Sequence, residues 1–134
     1  MKAAHLLYGW MAGVSAGLIA CLSLLCLTGC GDAKPVAANP DRARVALKTA
    51  LETWKKGKPY ESLKAATPPI HVSDSEWHGG HKLVEFELGA ERSAGFGWRC
   101  EVQLTVEAKD GGARKHLAVY RVDTEPAIVV VHEE

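Results

Sequence analysis

Trp77-His78-Gly79-Gly80-His81 is the stretch of this sequence most suggestive of chemistry. Its two histidines, three residues apart beside glycines, offer two imidazole ligands, whereas zinc takes three or four. His71, His116 and His132 also exist, but nothing in the sequence brings them to that loop. The stretch reads as a solvated turn between strands, with no metal, and Trp77 as cover for a sheet edge. Gly95-Phe96-Gly97, with Gly89, does not make a phosphate loop. Such a loop follows a strand and opens a helix whose N-terminus holds the anion, and this one opens the strand that starts at Trp98. Glu85, Glu87, Glu101 and Glu107 fall on the polar faces of strands, while a catalytic carboxyl pair needs one member with a raised pKa in a pocket. Cys100 with a histidine would mimic a thiol hydrolase. It sits mid-strand, on the apolar side of the alternating run from Trp98 to Val106, where a thiol is a small buried hydrophobe. No catalytic residue and no cofactor follow from these patterns.

A different cysteine stands in a more telling setting. After Lys2, the 23 residues from Leu6 to Thr28 carry no charge, and the run ends in Leu27-Thr28-Gly29-Cys30. Such a run enters a membrane or is cleaved while crossing one. Its last four residues resemble the lipobox of bacterial lipoprotein signal peptides. Small residues at 28 and 29 let an extended backbone enter the signal peptidase, and the Cys30 thiol is the nucleophile for diacylglycerol transfer. The resemblance implies that residues 1–29 are a lipoprotein signal peptide and that Cys30 is the lipidated first residue of the mature chain. The protein would then be exported and lipid-anchored to the cell membrane or outer membrane, on the periplasmic or cell-surface side. Gly31 favours the outer membrane by resemblance to the enterobacterial sorting rule. The alternative is an uncleaved spanning helix, since the run exceeds the ~7–15 residues of a signal core and reaches the ~20 of a span. Gly9, Gly13 and Gly17 weaken its first half and leave a compact core nearer Leu18–Leu27. Cys21 and Cys26 leave with the leader, so the mature domain keeps Cys100 alone and has no internal disulfide.

The chain has 134 residues, which allows one domain. Sixteen basic and sixteen acidic residues cancel, which argues against a nucleic-acid binder. A hydrophobic content of 47% argues against disorder. The charge is uneven along the chain. Residues 34–64 hold eight basic and three acidic residues, and residues 65–134 hold seven basic and twelve acidic. A basic helix beside a lipid anchor could lie on anionic headgroups, each nearby charge worth ~1 kcal/mol. The plainer reading turns its lysines toward the acidic rims of a sheet.

Residues 30–39 form the lipidated Cys and a flexible tether, broken by Pro35. Residues 40–134 form a single α+β domain. Asn39, Pro40 and Asp41 start a helix, Ala43, Leu47, Ala50, Leu51 and Trp54 give it one apolar stripe, and Gly57 stops it. Tyr60–Ala65 reads as a short helical turn ended by Thr67-Pro68-Pro69. Strands are expected at 70–72, 82–88, 98–108, 116–122 and 128–131. In the second, Val84, Phe86 and Leu88 face one side and Leu83, Glu85 and Glu87 the other. Gly89 to Gly97 reads as a loop, and Asp110-Gly111 as a tight hairpin turn. Ile128–Val131 is apolar on both faces and belongs centrally.

The expected architecture is therefore an N-terminal helix packed on a curved antiparallel sheet of about four to five strands. This order resembles the cystatin-like and SnoaL-like cone folds and the layout of small bacterial lipoproteins. The resemblance covers residues 40–134, rests on element order, and brings no functional residues with it. Cone-fold enzymes place acid and base groups inside the cone. The inward positions expected here, Cys100, Val102, Leu104, Val106, Ala118, Tyr120 and Val122, include only two polar side chains. The function expected is a membrane-anchored cell-envelope lipoprotein with a non-catalytic binding or assembly domain. It would touch the membrane through the lipid on Cys30, bind no nucleic acid, and meet any protein partner in the envelope. The alternative is an inhibitor-like module acting on an envelope hydrolase or protease, with a small cone-fold enzyme third.

Overall fold

The computed structural model describes residues 36–93 and 95–134. The leader, the Leu27-Thr28-Gly29-Cys30 motif and the first part of the tether lie outside the described residues.

Local signals place the long helix, α1 (Pro40–Lys55). The Asn39 side chain accepts the Arg42 N–H at 3.0 Å, and Pro40 occupies the first turn. At the other end Gly57 adopts φ +71°, which lets the N–H groups of Gly57 and Lys58 return to the carbonyls of Trp54 and Thr53. That closes two carbonyls that a helix end leaves open. The stripe Ala43, Ala46, Leu47, Ala50, Leu51 and Trp54 is buried. A long-range bond also holds the helix start, because the Asn39 N–H donates to the buried Thr124 Oγ1 at 2.9 Å.

A 3-10 turn (Tyr60–Ala65) follows. Then come β1 (Ile70–Ser73), a one-turn helix α2 (Ser75–His78), β2 (Lys82–Ser93), β3 (Trp98–Glu107), β4 (Ala113–Asp123) and β5 (Ile128–Glu133). The five strands make one sheet in the order β1-β5-β4-β3-β2, so the protein is α+β. Its inner face carries Trp98, Cys100, Val102, Leu104 and Val106 of β3 and Ala118, Tyr120 and Val122 of β4. Ile128 and Val130 of β5 complete it, and these residues form one apolar core with the α1 stripe.

Five expectations change. The sheet is mixed rather than antiparallel, because β1 pairs with β5 in parallel, Ile70 opposite Ile128. β1 and β2 lie on opposite edges, so the chain crosses the sheet between them instead of turning back in a hairpin. In β2, a register shift between Leu83 and Glu85 puts Leu83 opposite Val106 and Phe86 opposite Leu104. Leu83 thereby joins Phe86 and Leu88 on the core side and Val84 is left exposed, which is what the extra residue of a β-bulge does to a two-residue alternation. The expected loop from Gly89 is strand as far as Ser93, through a second register shift between Leu88 and Glu91. Finally, Glu107 pairs with Ala113, so Asp110-Gly111 lies in a five-residue loop rather than a two-residue turn. Gly111 has φ +88° there, and the Asp110 carboxylate accepts the Gly112 N–H. β5 is interior, between β1 and β4.

Cys100 has no exposed surface, its Sγ–H is aimed at the Glu101 carbonyl, and burial pushes its thiol up. Only the thiolate reacts. A thiol reagent is therefore expected to label Cys100 slowly in the native protein and fast in denaturant. Fast labelling of the native protein would contradict this burial.

Candidate functional site

The crossing from one sheet edge to the other is made by Asp74–His81, and it begins with a cap. Asp74 Oδ1 accepts the N–H groups of Glu76 and Trp77 at 2.9 and 3.1 Å, starting α2. The residue is 2% exposed, and its Oδ2 accepts the Tyr120 hydroxyl at 2.5 Å. His132 Nδ1 stands 3.7 Å from Oδ1, an ion-pair contact beyond hydrogen-bond range. Burial alone would raise the Asp74 pKa, but His132, Tyr120 and the Trp77 N–H outweigh it and hold the carboxyl below its usual value. Asp74 in turn raises His132 against the cost of burial. Tyr120 is pushed up, first by burial and then by the neighbouring carboxylate, so it stays a neutral donor. Its ring stacks on His132 with centroids 5.1 Å apart. Two residues on, the buried Glu76 pairs with Arg114 and lies 3.2 Å from His116 Nε2. Both carboxylates of the crossing segment thus face cations or donors of β4 and β5.

Trp77 belongs to another set. Its ring stacks on Trp54 at 5.6 Å and 13°, and Tyr60 meets its edge at 6.1 Å. Tyr60 also contacts His78, centroids 4.0 Å apart. The Trp54 Nε1–H donates to the His81 carbonyl at 2.8 Å, tying α1 to the end of the crossing segment. These aromatics border a cleft of about 510 Å³ between the C-terminal end of α1, the start of the 3-10 turn and the start of β2. Its polar lining comes from Lys55, Lys58, Glu61, His81, Lys82 and Glu107. Lys55 is held by Glu85 at 2.8 Å, whereas Lys58 and Lys82 make no ion pair among the described residues. The volume falls within the ~300–1,000 Å³ of small-molecule sites. None of Asp74, Glu76, Arg114, His116, Tyr120 and His132 lines it. A shallower depression of about 370 Å³ lies between α1, from Asp41 to Thr49, and Ala66–Pro68.

The structure scatters the histidines of the eye-catching stretch. His78 ends α2 on the surface, and His81 lines the cleft with its Nδ1 buried and unpartnered. His116 and His132 lie by Glu76 and Asp74 instead. Among the described residues, no group of three or more His, Cys, Asp or Glu side chains is arranged to hold a metal. The basic flank of α1 turns to acidic partners. Arg44 makes a two-pronged pair with Glu91 of β2, Lys55 pairs with Glu85, and Arg42 with Glu125. The inner face reaches further than the alternation of β4 and β5 suggested, because His116 and His132 extend their inward rows by one step each. Asp74-Ser75-Glu76 also carries a helix-start pattern, an Asp before a polar first turn, which the flanking glycines concealed. The chain matches no protein-family model, no curated protein and no solved structure among those compared.

Proposed function

We propose that the protein is a lipid-anchored cell-envelope lipoprotein whose α+β domain binds a small ligand without transforming it. The observation that carries this reading is that the buried carboxylates Asp74 and Glu76, each held by partners, lie outside the cleft. The cleft offers aromatic edges, two unpaired amines and two carboxylates, whereas Asp74 and Glu76 are engaged by partners elsewhere on the inner face. A general acid or base has to reach the reacting group within hydrogen-bond distance, and a carboxylate that caps a helix while holding a tyrosine and a histidine is committed to structure. The layout is read as cystatin-like or cone-like, supported by one long helix whose stripe shares a core with the inner sheet face. The anchor is read from Leu27-Thr28-Gly29-Cys30 at the end of the uncharged run. In bacteria fed labelled palmitate the protein is expected to carry label, and Cys30→Ser to lose it. Equal labelling of the Ser variant would remove the anchor from this reading.

A further inference from the structure

We infer that the crossing segment Asp74–His81 is a pH-operated latch on the cleft, held down while His132 is charged and released when it is not. The latch supplies regulation for the site proposed above and rests on that reading for its use. The segment is built to move as a unit. The N–H groups of His78, Gly79, Gly80 and His81 all return to carbonyls within it, those of Asp74, Ser75, Trp77 and Glu76. At its far end Gly80 has φ +82°, a backbone that glycine adopts without steric cost. Side chains therefore fasten it to the sheet. Asp74 meets Tyr120 and His132, Ser75 Oγ donates to Glu134 Oε1 at 2.6 Å, and Glu76 meets Arg114 and His116. Its other side forms part of the cleft wall, where Trp77, Gly80 and His81 line the space and Trp77 stacks on Trp54.

Of these ties, Asp74–His132 depends on charge alone. Tyr120 and Ser75 hold their partners by hydrogen bonds, and Glu76 keeps the permanently charged Arg114. His132 Nδ1, at 3.7 Å from Asp74 Oδ1, is buried without a hydrogen bond. What holds it is the attraction of an imidazolium for a carboxylate, which ends when the proton leaves. The groups facing His132 are Asp74 and Glu76 of the crossing segment, Tyr120 of β4 and Glu134 after β5. The three carboxylates favour its charged form against the cost of burial, Asp74 most strongly. Arg114 and His116 of β4 are turned to Glu76. Because His132 is raised in the closed state, the latch is fully held below about 6.5 and let go as pH rises through the closed-state pKa.

The test is hydrogen exchange of the full chain in detergent micelles, residue by residue, from about pH 6 to about pH 8.5, expressed as protection relative to an unstructured chain. The N–H groups of Glu76, Trp77, His78 and Gly79 are expected to exchange about tenfold or more faster than those of Leu47 and Leu51 in α1, through an opening that low urea does not accelerate. Their protection is expected to fall as pH rises, about tenfold for each unit by which His132 is raised. His132→Asn puts an uncharged amide nitrogen where Nδ1 stands. It is expected to lower protection at acid pH to the wild-type alkaline level and to remove the pH dependence. His116→Gln is expected to keep that dependence, since Glu76 retains Arg114. Flat protection in the wild type, α2 exchange no faster than that of α1, an unchanged slope in His132→Asn, or a slope lost in His116→Gln would each overturn the inference. Should His132→Asn fail to fold, the wild-type slope and its response to urea still decide. Opening is read without a ligand. A protein that shows the slope but binds nothing in the cleft keeps the latch and loses the binding reading, and a ligand-binding protein without the slope loses only the latch.

Discussion

Asp74→Ala is expected to destabilise the protein by about 3–5 kcal/mol, the range for removing one partner of a buried charge pair. The substitution deletes an acceptor that serves three donors, the N–H groups of Glu76 and Trp77 and the hydroxyl of Tyr120, and strips His132 of its counter-charge. It also loosens the start of α2, which carries Trp77 into the aromatic cluster. Asp74→Asn separates these contributions. Asn still caps the helix through its Oδ1 and should cost less, but it then presents an amide NH2 to Tyr120, which donates where the carboxylate accepted, and it carries no charge for His132. The pH dependence follows from the directions of the shifts. His132 is raised in the folded state, so its contribution is complete below the unperturbed value of about 6.5 and is lost as pH rises through the folded pKa. Asp74 is lowered, so its contribution is complete above about 3.9 and is lost as pH falls through the folded pKa. Urea unfolding followed across pH should show both slopes in the wild type, with the neutral-side slope flattened in Asp74→Asn. A loss below about 1 kcal/mol in Asp74→Ala, no more than an ordinary hydrogen bond, would mean the network carries little of the fold.

Trp54→Ala is expected to cost about 3–5 kcal/mol, the usual range for truncating a large buried aromatic. Trp54 is 2% exposed, stacks on Trp77 and donates to the His81 carbonyl, so the change opens a cavity, removes a stacking partner and orphans an acceptor. That loss is comparable to the ~5–15 kcal/mol of a whole domain, and thermal unfolding should show a largely destabilised protein. Lys48→Ala should be nearly silent, because its contact with Glu52 is 4.0 Å long and exposed on both sides. A Trp54→Ala protein that melts like the wild type would place the cover of the sheet elsewhere. Trp77 is the nearest candidate, since α2 shares that cover at the end of the sheet where α1 stops.

Features decided within short stretches of chain were legible before folding. Asn39, Pro40 and Gly57 bound α1 because capping is settled within a turn, and the stripe from Ala43 to Trp54 emerges from a 3.6-residue period. The strict alternation of β3 is equally local, and it put Cys100 inside. The remaining features depend on long-range packing. A bulge at Val84 moves Leu83 to the core, and a shift of one residue reverses every face assignment that an alternation supports. The parallel pairing of β1 with β5 depends on which edge the chain reaches after Ser73. Asp74 meets Tyr120 across 46 positions, and Tyr60 meets Trp77, only because the crossing segment is laid over the sheet. Such contacts are set by which segments the shared core brings together, and no window of neighbouring residues encodes them.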